Sequence, residues 1–86
     1  MRDKHGNEVR IGDTVRVLEI YAGFLDSLPD DEKPHIAAML GHEYVIDDLP
    51  EENKASVSIE WRFENGDLGT GGLYMLPHEF ELVRRG

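Results

Sequence analysis

Ten residues, Ala55 to Glu64, constrain this chain more than any other stretch. Ala55, Val57, Ile59, Trp61 and Phe63 alternate without interruption against Ser56, Ser58, Glu60, Arg62 and Glu64. Successive side chains of an extended strand point to opposite faces, so one apolar parity describes a strand with one buried face and one wet face. The run ends in Asn65-Gly66, a pair that suits a two-residue type I′ hairpin because both central residues then need positive φ. A returning strand should follow. It meets Gly69-Thr70-Gly71-Gly72, which reads as too flexible for a regular ladder, before Leu73 to Leu76 resume it.

The other elements are shorter. Gly6-Asn7 makes a turn, Val9 and Ile11 alternate with charged residues, and Gly12-Asp13 punctuates before Thr14 to Ile20, a β-branched stretch. Val9, Ile11, Val15 and Val17 share one parity and should share a face. Leu18 and Ile20 fall on the other parity, which requires a bulge or two covered faces. Glu43 to Leu49 should pair with Ala55 to Phe63 through a loop at Pro50 to Lys54. One helix is expected between Asp31 and Leu40: Asp31 can cap it, Glu32 suits the positive end of its dipole, and Pro34 is tolerated in the first turn. Gly41 suits the left-handed residue that stops it. Pro77-His78-Glu79-Phe80 reads as a single turn before a last strand, Glu81 to Val83.

Two stretches carry a family resemblance. Ile11-Gly12-Asp13-Thr14-Val15-Arg16-Val17 looks like the opening of a Src-homology-3-like barrel, and Leu76-Pro77-His78-Glu79-Phe80-Glu81-Leu82-Val83 looks like its closing turn and final strand. The resemblance implies a mainly β fold: a small five-stranded antiparallel SH3-like barrel or roll, residues 1–86 as one domain, with one short helix in the first long loop. It does not carry polyproline binding, because only Tyr21 and Phe24 occupy the first loop and the one tryptophan, Trp61, lies on the core parity of its strand. Fold analogy supplies a shape and not an activity. The expected core is Val15, Val17, Ile36, Leu40, Val45, Val57, Ile59, Trp61, Phe63, Leu73 or Tyr74, Phe80 and Leu82.

Charge narrows the partner classes. Eighteen acidic and nine basic residues leave a net charge of −9, and the stretch from Asp26 to Glu52 holds nine acids against Lys33 alone. Nucleic-acid binding rests mainly on cations that neutralise phosphates, so nucleic acid is not expected as a partner. Another protein is expected, and a basic one is electrostatically easier. No apolar run exceeds five residues, against the roughly 20 of a membrane span, so no membrane is expected. The chain has no cysteine and opens on charged residues with no apolar stretch behind them. Both features fit a cytoplasmic protein.

Candidate chemistry is sparse. His5, His35, His42 and His78 form no His-x-x-x-His pair, and without cysteine a zinc site lacks its usual donors. Asp26-Ser27-Leu28-Pro29-Asp30-Asp31-Glu32 departs from the alternating oxygen ligands and the glycine of a calcium loop. The glycine-rich segment lacks the Lys-Ser/Thr ending of a phosphate loop. None of the carboxylates falls in a segment expected to be buried, where a raised pKa would make a useful acid. No catalytic residue, cofactor or metal is therefore expected, and the chain reads as a non-catalytic protein-interaction module. The alternative is an acidic inhibitor or immunity-type protein that neutralises a basic partner such as a nuclease. The candidate contact residues are Tyr21, Phe24 and Tyr74 for the module, and Asp30, Asp31, Asp47 and Asp48 for a basic partner.

Overall fold

The alternating segment becomes the longest strand, β4 (Lys54–Arg62), in a computed structural model that describes residues 1–86. Around it stand β1 (Thr14–Val17), α1 (Ala22–Ser27), α2 (Lys33–Ala37), β2 (Glu43–Val45) and β3 (Asp48–Glu51), followed by β5 (Leu68–Met75), a 3-10 turn (Pro77–Glu79) and β6 (Phe80–Arg84). The fold is mainly β, but it is not a closed five-stranded barrel. The strands form two three-stranded antiparallel sheets, ordered β2-β1-β6 and β3-β4-β5. The segment expected as one strand from Glu43 is split. Its first part pairs with β1, its second part with β4, and the chain passes between the sheets at Ile46-Asp47. A two-residue turn, Glu52-Asn53, then joins β3 to β4.

The stretches that open and close the expected barrel lie side by side, with Val15 opposite Leu82, Arg16 opposite Glu81 and Val17 opposite Phe80. Arg16 bonds Glu81 at 2.8 Å and Glu43 at 3.1 Å, so one guanidinium ties all three strands of this sheet. The core between the sheets contains Val9, Val15, Val17, Ile36, Met39, Ile46, Ala55, Val57, Leu73, Met75 and Phe80. Ile59 and Leu82 pack partly buried against it. Trp61 and Phe63 are also half-buried, because β4 runs out beyond the core at that end.

Several expectations shift by one residue. Leu40 and Val45 are exposed, and their neighbours Met39 and Ile46 are buried instead. α2 stops at Ala37 and leaves Leu40 in the turn that follows, while β2 begins at Glu43 as expected but turns Tyr44 and Ile46 inward, so Val45 falls on the outward parity. Ile11 is exposed while Val9, Val15 and Val17 are buried, because Ile11 lies in the turn itself, where the Asp13 N–H bonds the Arg10 carbonyl at 3.1 Å. Ser56, expected on the wet face, is buried opposite Asp48 and Tyr74. There are two helices rather than one, and α2 begins at Lys33 with no side-chain cap, so Asp31 does not cap it. Glycine supplies every positive φ, including Gly66 but not Asn65. The N–H of Gly66 bonds the Phe63 carbonyl and the N–H of Phe63 bonds the Asp67 carbonyl, each at 2.9 Å. That is a three-residue loop closed by a left-handed glycine in place of the two-residue type I′ turn.

Candidate functional site

The three aromatic residues singled out in the sequence converge. Tyr21 and Phe24 form one wall of a groove of about 300 Å³; Leu73, Tyr74, Leu76 and His78 form the other, with Lys54 and Glu79 completing the lining. Tyr21 precedes α1 in an extended conformation, and its carbonyl accepts the N–H groups of Phe24 at 3.1 Å and Leu25 at 3.2 Å. Its ring lies back across Gly23, where a Cβ would come within 2.8 Å of it. Phe24, one turn on, points towards the core and is half-buried. The opposite wall is the corner where β5 runs into the 3-10 turn. Glu79 makes this corner rigid: its carboxylate accepts the Leu76 N–H at 2.8 Å while its own N–H bonds the Leu76 carbonyl at 2.9 Å. The Glu79 carbonyl also accepts the N–H groups of Leu18 and Glu19, fastening the start of the α1 loop to the same corner.

The groove is apolar inside and charged at its rim. Tyr21 is 73% exposed and Tyr74 65% exposed, so both rings offer most of their surface to a partner. At the rim, Lys54 lies 3.3 Å from Glu51 and His78 lies 3.8 Å from Glu19. Sequence reasoning missed Leu73, Leu76, Lys54, His78 and Glu79 as groove residues. The Pro77-His78-Glu79 turn was legible, but nothing in the linear order shows that it folds against the α1 loop.

The acidic candidates do not join this groove. Asp30 and Asp31 are exposed in the turn before α2, while Asp47 and Asp48 stand where the chain enters β3. Asp47 accepts the Ser58 hydroxyl and Asp48 accepts the neighbouring Leu49 N–H at 2.9 Å. No hydrogen bond or ion pair links the two pairs of acids.

The carboxylates that are buried are ones the sequence left on the surface. Asp3 accepts the N–H groups of Leu82 at 2.7 Å, Asn7 at 2.8 Å and His5 at 2.9 Å, stapling the N-terminal turn to β6. Burial pushes the Asp3 pKa up, but these N–H groups outweigh it and hold the carboxyl below its ordinary value. Asp13 is held low by the N–H groups of Gly86 and Arg10, each at 2.9 Å, with the Arg85 guanidinium adding to the effect at 3.5 Å. Carboxylates stabilised in the charged form are poor proton donors at neutral pH, which suits a structural staple.

The histidines are dispersed, and no group of three His, Asp or Glu side chains is placed to hold a metal ion. His35 on α2 stacks on Trp61, with ring centroids 4.4 Å apart and 8° between planes, and Phe63 meets both rings edge-on. The Trp61 ring lies against Gly69 and Gly71, and this explains the glycine-rich segment. The segment is no break in the ladder: β5 pairs with β4 at every residue from Leu68 to Met75. The Trp61 Nε1–H is buried over Gly69 without a hydrogen-bond acceptor. No family model, curated protein or solved structure matches this chain.

Proposed function

We propose that this chain is a non-catalytic protein-interaction module with an SH3-like roll, and that it receives an apolar segment of a partner protein in the groove between α1 and the β5 corner. One observation carries the reading: Tyr21 and Phe24, one turn apart, and the sequence-distant Tyr74 line one apolar groove on a hydrogen-bonded corner. Exposed aromatic rings beside aliphatic side chains are the composition of interface anchors. The strand that turns between the sheets at Ile46-Asp47, and the pairing of β1 with β6, support the SH3-like reading.

A second reading rests on charge. Eight of the nine acids between Asp26 and Glu52 are exposed, Glu32 being half-buried, and a surface of this sign suits an acidic inhibitor of a basic partner. Salt separates the two readings. Capture of partners from cells by the wild type and by Tyr21→Ala/Tyr74→Ala, at low and high salt, is the test. An apolar anchor keeps its partner at high salt and loses it in the double variant. Electrostatic attraction fades as the Debye length falls from about 10 Å at 0.1 M to about 3 Å at 1 M. A partner that the double variant retains and that high salt releases would reject the groove and favour the inhibitor.

A further inference from the structure

The free edge of β5 adjoins the groove at Leu73 and Tyr74, and it is unlike the other three strand edges. β2 is three residues long, β3 is four residues long and carries Asp48, Pro50 and Glu51, and β6 carries Glu81 and Arg84 and is engaged by the N-terminal turn. Short length, charge, proline and covering are the usual protections of a sheet edge. β5 lacks the first three, and its covering is partial: Ile36 of α2 packs against Gly71, and Tyr21 and Phe24 stand across the groove from Leu73 and Tyr74. Its eight residues, Leu-Gly-Thr-Gly-Gly-Leu-Tyr-Met, contain no charge and no proline. It pairs only with β4, and no backbone hydrogen bond from elsewhere reaches it. The side chains on its outer face belong to Leu68, Thr70 and Tyr74, all exposed.

We infer that β5 is a self-association edge, pairing antiparallel with β5 of a second copy about a two-fold axis at Gly71. Two-fold pairing of a strand with itself matches residues of equal parity, so inner faces stay together and outer faces stay together. Centred on Gly71, it sets Leu68 opposite Tyr74 of the second copy, twice, and Thr70 opposite Gly72. The two exposed apolar side chains of the outer face thereby cover each other as cross-strand pairs. The existing register with β4 carries this across the sheet. One outer row runs Arg62, Leu68, then Tyr74 and Ser56 of the second copy; the next runs Glu60, Thr70, then Gly72 and Ser58 of the second copy. The first row continues from Ser56 to Asp48 on β3, so its charges, Arg62 and Asp48, are of opposite sign, and the four positions of the second carry only Glu60. A chain of net charge −9 can therefore pair here without setting like charges directly opposite each other. The inner rows, Trp61-Gly69-Leu73-Val57 and Ile59-Gly71-Gly71-Ile59, are wholly uncharged. The result is one six-stranded sheet across two copies. The inference rests on the length and composition of this edge and not on the groove, although a second copy and a groove partner would both cover Tyr74.

Pairing along a single strand buries less than the roughly 1,200–2,000 Å² of a standard interface, so the dimer is expected to be weak and to form only as concentration rises. Sedimentation equilibrium of the full chain tests it. From low micromolar to millimolar concentration the mean mass should climb from the 9.8 kDa of one chain towards twice that value. Leu68→Glu/Tyr74→Glu sets two carboxylates in opposition twice per dimer and should weaken association about tenfold or more. Leu68→Glu/Tyr74→Lys sets opposite charges in the same places and should restore it. A wild type that stays monomeric at millimolar concentration overturns the proposal, as do two variants that associate equally. If either variant fails to fold, amide exchange of the wild type decides: β5 amides should slow with rising concentration while β3 amides do not, and no concentration dependence in β5 refutes the pairing.

Discussion

Gly69→Ala is the substitution whose consequence follows most directly from the packing. Gly69 adopts an ordinary strand conformation, since the positive-φ glycines are Gly6, Gly12, Gly41 and Gly66, so alanine meets no backbone obstacle there. On entropy alone the change should stabilise the fold by about 0.4–1 kcal/mol, because it restricts the unfolded chain. The added Cβ, however, would overlap Nε1 and Cε2 of the Trp61 indole and lie 2.8 Å from Cζ2. The ring has little freedom to yield, because His35 stacks on it at 4.4 Å and Phe63 meets it at 6.1 Å. Overpacking of this kind costs about 1–3 kcal/mol, so the net effect should be a loss of about 1–2 kcal/mol. For a domain of this size that lowers Tm by about 4–8 °C per kcal/mol. Thermal and urea unfolding followed by far-UV circular dichroism measure it. In a Trp61→Ala background the same glycine substitution should become neutral or stabilising, since the clashing ring is gone. A Gly69→Ala chain as stable as the wild type, with Trp61 present, would refute the argument that glycine is here to admit the indole.

Two other perturbations follow from the charges. Asp3 and Asp13 have folded pKa values below their unfolded ones, so their stabilisation is complete above the unfolded pKa near 4 and is lost as pH falls through the folded values. Asp3→Asn should cost about 1–3 kcal/mol at neutral pH by weakening acceptors for buried N–H groups, and should flatten the stability profile below about pH 4; unfolding at a series of pH values checks this, and an unchanged acid slope would contradict it. Reversing charge at Asp30, Asp31, Asp47 and Asp48 should cost about 0.5 kcal/mol or less per site, because all four are exposed. If the acids steer a basic partner, association measured by stopped flow should slow about tenfold in that variant, and an unchanged rate would leave them a solubilising role.

The parts of the fold that were legible are those where pattern outruns position. The parity of Ala55 to Glu64 needs no partner to be read, and Pro77 preceding a terminal strand marks a turn by its own chemistry. Tyr21 and Tyr74 could be chosen as exposed aromatics from their local context alone, whereas Phe24 is half-buried against the core. What stayed hidden depends on elements far apart in sequence. The glycines of β5 looked like a flexible break because the indole that needs them sits eight residues upstream, on the paired strand. Asp3 and Asp13 looked like surface charges because the N–H groups they satisfy belong to Leu82 and Gly86. Leu40 reads as core by helical spacing, but α2 stops at Ala37; Val45 reads as core because nothing in Glu43-Tyr44-Val45 shows that Tyr44 carries the inward parity. The lining of the groove by His78 and Glu79 required knowing that the last turn folds against the first loop.

The most direct test of the groove is a map of the contact itself. A partner captured by the wild type should be titrated into isotope-labelled chain while amide resonances are followed by NMR. The account predicts that the largest shifts fall on residues 21–25 and 73–79, persist at high salt, and vanish with Tyr21→Ala/Tyr74→Ala. Shifts confined to the acidic positions between Asp26 and Glu52, collapsing as salt is added, would contradict it.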